Sequence, residues 1–268
     1  LVGEPPHKWI ATHAAKGFRL GIDPWMHTGA EVRKLEQALG DIGGTLVLLP
    51  FNPVDRLWTD RPAEPLGKVA IQAENQAGVP AKDKIAKIAA DLTDRGLAAV
   101  FITDPSSVAW IFNIRGNDVP HTPHPLSRAF IKADGSAELF LDPRKTNLEV
   151  ESYLRDLCEQ VEPKMLAERL ERLSTGGARI LVDPDLAPHV LGHLIRHFGG
   201  EVVEGNDPAK LGRAVKNMVE LNGSAAAHLQ DGVAMVEFLH WFDEQPAGSL
   251  TEIAAAEALE ATRARVGE

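Results

Sequence analysis

The sequence predicts an α/β fold with a mixed sheet, arranged as two related domains followed by a pair of helices. Three observations predict it. Short apolar runs alternate with segments of helical periodicity, the pattern of strands interleaved with helices. Asp134-Gly135 sits between "LSRAFIKA" and "AELFL", which is a strong hairpin signal and adds an antiparallel pair. A strand-helix-strand unit also occurs twice, opening with "GFRLGIDP" at residues 17–24 and with "GARILVDP" at 177–184.

Taken in order, residues 17–22 and 44–49 read as strands around a helix at 28–39. Thr28 with Glu31 three residues later is a capping-box pattern for that helix. "WTDRPAEPLGK" reads as a linker punctuated by Pro62 and Pro65. Ile85, Ile88, Ala89 and Leu92 share one face of a helix over 81–95, which Gly96 stops. "LAAVFI", 97–102, is a continuous apolar run, as in a strand buried on both faces. "DPSSVAWIF" opens with helix-start residues. Residues 147–159 and 163–173 read as helices and 178–182 as a strand. Leu186, Val190, Leu191, Leu194 and Ile195 then give one apolar helical face. Met218, Leu221, Ala225, Leu229, Val233, Val236 and Leu239 follow three- and four-residue steps, predicting an amphipathic helix to about 244. Ser249 and Glu252 form a second capping-box pattern before a final helix.

The two repeat units keep a steady offset: 160 at Gly17/Gly177, 156 at Gly43/Gly199 and 154 at Asn52/Asn206. The second copy has a long lead-in from about residue 79, whereas the first has only sixteen residues before it. If the copies are equivalent, the chain starts inside a domain. The two closing helices have no sheet after them and make a poor core of their own. They read as the entrance to a further domain.

Lys plus Arg (28) against Asp plus Glu (38) leaves a net charge of −10, which argues against nucleic acid or an anionic membrane as partner. The 268 residues suit two domains rather than one average domain. The single cysteine, Cys158, cannot form an internal disulfide, so a reducing cytoplasm is the expected location. Cys158 reads as structural. No apolar run approaches the ~20 residues of a membrane helix.

A direct search for chemistry finds no complete constellation. There is no dinucleotide fingerprint, P-loop, G-x-S-x-G or H-E-x-x-H. "STGGAR" precedes a strand, not a helix, and does not suit a phosphate cradle. His189, His193 and His197 recur every four residues, a spacing that more often marks a helix face than a metal site. The most unusual stretch is "WIFNIRGNDVPHTPHP", residues 110–125. His121 and His124 lie three apart, but Pro120, Pro123 and Pro125 extend the chain, and no carboxylate or Cys cluster completes a zinc set. Trp110 and Phe112 read as core anchors of a rigid turn that presents Arg115, Asp118 and His121 as polar tips.

Three stretches stand together: "LWTDRP" at 57–62, "VAWIFNIRGNDVPHTP" at 108–123 with its N-x-R-G-x-D pattern, and "AVKNMVEL…AHLQDGVAMVEFLHWFDE" at 214–244 with "LTEIAAAEALE" at 250–260. Together they resemble the three-domain Xaa-Pro aminopeptidases of the creatinase, or pita-bread, metallopeptidase superfamily. The resemblance implies two creatinase-N-type three-layer α/β domains with mixed sheets, the first truncated at its N-terminus, followed by the opening helices of a pita-bread catalytic domain. Residues 1–78 would be the C-terminal half of domain one, 79–207 domain two, and 208–268 the start of an incomplete catalytic domain. The family pattern usually has an Arg in the first of those helices, where this chain has Ala225 and Ala226.

The resemblance further implies a parent hydrolase that removes the N-terminal residue from peptides with proline second, using two divalent metal ions, usually manganese. No position of this chain matches the family's metal or catalytic residues, so the expectation is a chain with no metal site and no activity alone. Asn113, Arg115, Asp118 and His121 are expected either to face the catalytic cleft or to hold the loop. The expected partner is a peptide, with no nucleic acid and no membrane; a homodimer stays open. Two alternatives stand beside this reading. One is a non-catalytic binding or dimerisation module of the creatinase-N type. The other is another superfamily member, creatinase or prolidase, against which the "WTDRP" and "IRGNDVPH" pair argues.

Overall fold

The computed structural model describes residues 3–267, which pack as two units. The first comprises the chain up to Gln72 together with Val79–Ala214; the second comprises Ala73–Gly78 and the chain from Val215 onward.

The first unit opens with α1 (Pro6–His13), β1 (Arg19–Ile22), α2 (Gly29–Gly40) and β2 (Thr45–Leu48). Strands β1 and β2 pair in parallel, with α2 crossing between them. The Thr28–Glu31 capping box forms as its spacing predicts. Val32, Leu35, Ala38 and Leu39 of α2 bury against Ile22 and Ile10. A short α3 (Pro53–Leu57) follows, and residues 58–69 are irregular.

After β3 (Ala70–Ile71), α4 (Glu74–Ala77) is a single turn belonging to the second unit. The chain then returns through α5 (Ala81–Asp94), β4 (Ala99–Ile102), α6 (Pro105–Ile111), β5 (Ile114–Arg115), β6 (Arg128–Lys132) and β7 (Ala137–Phe140). It continues through α7 (Leu148–Arg155), β8 (Glu159–Val161), α8 (Leu166–Ser174), β9 (Arg179–Val182), α9 (His189–His197), β10 (Glu201–Glu204) and α10 (Ala209–Ala214).

Six strands form one mixed sheet in the order β10-β9-β4-β6-β7-β8. The pairs β10/β9, β9/β4 and β7/β8 are parallel; β4/β6 and the β6/β7 hairpin are antiparallel. Alternation along the strands divides the core. Val100, Ile102, Ile131 and Leu139 pack with Ile85, Ile88 and Leu92 of α5, Ile111 of α6 and Leu154 of α7. Phe101, Phe130, Phe140 and Ile180 turn to the other face and pack with Leu170 of α8 and Leu191 and Ile195 of α9. Phe101 and Phe130 are register partners with ring centroids 4.5 Å apart, and Phe140 meets Phe130 edge-on at 5.2 Å. A sheet with helices on both faces is the three-layer α/β architecture expected from the sequence.

The repeat has a physical basis. Asp23, after β1, accepts from Trp25 N–H (2.9 Å), and Asn52 Nδ2 reaches its other oxygen (3.0 Å). Asp183, after β9, accepts from Asp185 N–H (3.0 Å), and Asp207 N–H reaches its other oxygen (2.9 Å). Asn52 and Asp207 each precede a proline and cap the next helix, through Val54 and Ala209 N–H. The structural partner of Asn52 is therefore Asp207, one residue past the Asn206 paired by sequence.

Two helical expectations need correction. The helix read over 147–159 ends at Arg155, and Glu159–Val161 forms an edge strand instead. The segment read as a helix from 163 starts as a short helical turn at Pro163–Met165, before α8 proper.

The second unit is an antiparallel-type hairpin of α11 (Met218–Asp243) and α12 (Glu252–Gly267) with α4 beside the start of α11. Asn217 and Glu220 form a capping box for α11, and Asn217 Nδ2 also donates to Ala77 O (2.9 Å). At α12, Thr251 Oγ1 accepts from Ala254 N–H, while Ser249 Oγ turns back to Pro246 O; the cap is Thr251 rather than the expected Ser249. Helix α12 lies against the face of α11 that carries Gln230, Asp231, Ala234 and Glu237. At 100° per residue this face is opposite the apolar stripe of Met218, Leu221, Leu229, Val236 and Leu239, all of which are exposed. The apolar stripe of this helix is thus uncovered within the unit.

Candidate functional site

The stretch 110–125 leaves the C-terminal end of α6 and is held in the first unit by buried polar contacts. Phe112 is fully buried and Trp110 packs partly buried against the same core, as anchors should. Asn113 takes a left-handed backbone (φ 49°) that Asn tolerates better than most residues. Its side chain is buried, donates to Val79 O (2.9 Å) and accepts from Lys84 Nζ (2.7 Å). Lys84 also donates to Trp110 O (2.8 Å) and lies 4.2 Å from the centre of the Trp110 ring.

Asp118 is the second anchor, and it points inward. Its side chain is 0% exposed. Oδ1 accepts from Gly67 N–H (2.9 Å); Oδ2 accepts from Leu126 N–H (2.6 Å) and from Lys145 Nζ (2.7 Å), itself only 6% exposed. One carboxylate therefore closes the loop onto its own end at Leu126 and ties it to two distant segments, at Gly67 and Lys145. Gly67 is required at its place, because a Cβ there would stand 2.5 Å from Asn117 Oδ1. Gly116 is likewise pressed against Pro125, which a Cβ would meet at 2.8 Å.

The expectation that Arg115, Asp118 and His121 are all presented as polar tips therefore fails at Asp118. Arg115 is half-buried and donates to Ile114 O (2.8 Å) and Ala109 O (3.4 Å). His121 is exposed, with a left-handed backbone (φ 59°) inside the turn closed by Thr122 N–H to Val119 O. The structure brings Asn113, Arg115 and Asp118 onto one pinned loop and leaves His121 at its tip. Burial and the nearby Arg115 guanidinium push the His124 imidazole below its ordinary value.

Beside the loop, at the ends of β4 and α10, Asp104 accepts from Ser106 N–H (2.9 Å), Ser106 Oγ (2.6 Å) and Arg213 (2.9 Å). Burial pushes the Asp104 carboxyl up, but these hydrogen bonds and the Arg213 charge together hold it below the usual carboxylate value. Burial pushes the Asp207 carboxyl up and the negative Asp104 adds to the effect, outweighing the opposing pull of the Ser107 hydroxyl, Ala209 N–H and the Arg213 charge. Asp207 Oδ2 is buried with no hydrogen-bond donor. Burial alone pushes the Cys158 thiol up to about 12, the state of an inert structural cysteine. Among the described residues no group of three or more His, Cys, Asp or Glu is placed to hold a metal ion.

Sequence reasoning missed Gly67, Lys84 and Lys145. A lysine in "DPRKT" carries no sign of burial, and the ion pair spans 27 positions. Only the loop's own composition pointed here.

The model for the Creatinase/Prolidase N-terminal domain matches residues 60–220, the greater part of the chain. The chain belongs to the Creatinase/Prolidase N-terminal domain family. Among curated relatives of this creatinase-type chain, the probable Xaa-Pro aminopeptidase P of Coccidioides posadasii is 34% identical over 245 residues, 89% of this chain and 40% of that protein. The protein of the same name from Metarhizium robertsii is 32% identical over 275 residues, 96% of this chain and 44% of that one. The chain thus spans about 40% of the length of the curated relatives it matches. Among solved structures, the X-prolyl aminopeptidase of Caenorhabditis elegans, described as a cytosolic enzyme with a di-nuclear active site, superposes with a TM-score of 0.86. It is 24% identical, over 97% of this chain and 43% of that one, so the likeness is one of fold. The Xaa-Pro dipeptidase of Bacillus anthracis shares the fold more distantly, with a TM-score of 0.50 and 17% identity over 69% of this chain and 49% of that one.

Proposed function

We propose that this creatinase-type chain is a non-catalytic part, lying ahead of the metal centre, of an aminopeptidase that removes the first residue from peptides with proline second. The observation that carries the reading is 34% identity, over 89% of the chain, to a protein named as an Xaa-Pro aminopeptidase P. The N-x-R-G-x-D pattern of Asn113, Arg115 and Asp118 supports it. In this reading residues 1–78 are the C-terminal half of a first domain, 79–207 a second domain and 208–268 the opening helices of the catalytic domain. The equivalent strand-helix-strand units, capped by Asn52 and Asp207, support the kinship of the first two.

The whole protein is proposed to use two divalent ions, manganese being the expected metal, to polarise the scissile carbonyl and activate water. The polar residues of the 110–125 loop do not fit such a centre. His121 is exposed on an extended loop, and Asp118 is committed to Lys145 and two backbone N–H groups. What this chain supplies is a rigid loop: Asn113 and Asp118 hold it, and Arg115 with His121 is proposed to face the peptide in the whole protein. A cytoplasmic location is part of the proposal; no helix among the described residues is long and apolar enough to cross a membrane.

The test is the full reading frame that contains this chain. Expressed with manganese, it is expected to release the first residue from an X-Pro-X peptide and to lose activity on chelation. A frame with no such activity and no metal-ligand set after residue 268 favours the binding-module alternative. In the active protein, Arg115→Ala with unchanged kinetics and unchanged stability removes the proposed role of the loop.

A further inference from the structure

A cleft of about 560 Å³ opens in the first unit beside the C-terminal ends of β4 and β7, roofed by the irregular segment 58–65. Its volume lies in the range of small-ligand sites. Most of its charged walls are already neutralised. Arg61 is paired with Asp55 (2.8 Å), Lys145 with Asp118 (2.7 Å), and Asp142 with Arg144 (2.6 Å). Two lining charges are left over. Arg128 is half-buried at the start of β6 and makes no side-chain hydrogen bond or ion pair among the described residues. Glu64 lines the same cleft, near enough to act on Arg128 and on Arg144 through space but outside ion-pair distance of either. A guanidinium taken partly out of water without a partner is costly, and an arriving anion would relieve that cost. Burial in fact weakens its hold on its proton.

Apolar surfaces line the cleft beside these charges: Trp58, about half exposed (48%), with Pro62 and Pro65 on the same strap. One free cation, one free anion too far off to neutralise it, and an aromatic wall make a complementary set for a small zwitterion with an apolar side chain. Glu64 weighs against a dianion such as phosphate. We propose that this cleft is a binding site for short peptides of about dipeptide size, with the peptide carboxylate on Arg128, the ammonium toward Glu64 and a side chain against Trp58. The site is independent of the peptidase reading, and binding alone tests it.

The experiment is isothermal titration of the 268-residue chain with alanyl-phenylalanine, its C-terminal amide, its N-acetyl form and inorganic phosphate. The dipeptide is expected to bind, with amidation weakening it about tenfold and acetylation less, since a charge-assisted contact to Arg128 is lost in the first case. Arg128→Gln is expected to bind the dipeptide and its amide equally. Glu64→Gln, at an exposed position that does not endanger folding, is expected to erase the penalty of acetylation. Absence of binding up to about 10 mM, a weak limit near −3 kcal/mol, overturns the proposal. So does equal affinity for dipeptide and amide in the unmodified chain, or phosphate binding as tightly as the dipeptide. Circular dichroism melts of both variants separate lost binding from lost fold; if Arg128→Gln does not fold, the ligand series and Glu64→Gln decide.

Discussion

Replacing Asp118 by Ala removes the one carboxylate that joins the 110–125 loop to residues 67, 126 and 145. The variant leaves Lys145 charged, 6% exposed and without its partner, and strips two backbone N–H groups of their acceptor. Breaking a buried pair from one side costs about 3–5 kcal/mol, most of it the penalty of the stranded charge. For a unit of roughly two hundred residues, each kcal/mol moves Tm by about 2–4 °C, so a fall of about 10 °C is expected. Lys145→Met is expected to cost less, about 2 kcal/mol, because Asp118 keeps both N–H donors. The double variant Asp118→Ala, Lys145→Met is expected to be more stable than the sum of the two losses by at least about 1.5 kcal/mol, since no charge is left stranded. The assay is thermal and urea unfolding, both followed by circular dichroism, on all four proteins. A Tm for Asp118→Ala within about 2 °C of the parent, or strictly additive losses, refutes the argument that this pair pins the loop.

Three further outcomes follow from the same geometry. Gly67→Ala drives a Cβ to 2.5 Å from Asn117 Oδ1 and is expected to destabilise by about 1–3 kcal/mol, measured in the same urea series. Asp207→Asn is expected to stabilise the chain at pH 7 by about 1 kcal/mol, because Oδ2 is buried without a donor beside the Asp104 carboxylate. The Asp207 carboxyl is raised in the folded state, so its protonated form favours folding at low pH, and that benefit is lost as pH rises through the folded value. The gain from Asn should therefore grow over that rise and vanish below the ordinary carboxylate value; a constant gain across pH contradicts the assignment. Cys158, with its thiol pushed up to about 12, is expected to react with a disulfide reagent at pH 8 far more slowly in the folded chain than in urea. Equal rates would contradict its burial.

The parts of the fold legible in the sequence were those with strong local chemistry. "LAAVFI" has no polar residue, and its strand is buried on both faces. Asp134-Gly135 makes the β6/β7 hairpin, with Gly135 at φ 84°. Elements stabilised by partners rather than by their own pattern were illegible. Glu159–Val161 is a three-residue edge strand whose sequence gives no alternation to read. Ala70–Ile71 and Ile114–Arg115 pair over only two residues each, across 45 positions of chain. Ser249 and Thr251 are both good caps, and only the backbone path selects Thr251. At the loop, composition singled out the right stretch but not the direction of its side chains. Asp118 turns inward because Lys145, Gly67 and Leu126 wait there, and none of them is near it in sequence apart from Leu126. The apolar stripe of α11 is legible in the sequence, but the unit places α12 on the other side.

The central claim is that this chain positions and supports a peptidase without carrying its chemistry. The most direct measurement compares the 268-residue chain with the full reading frame, each incubated with manganese and an X-Pro-X peptide. The account predicts release of the first residue by the full protein and none by the chain. Release by the 268-residue chain above its metal-free control would contradict it.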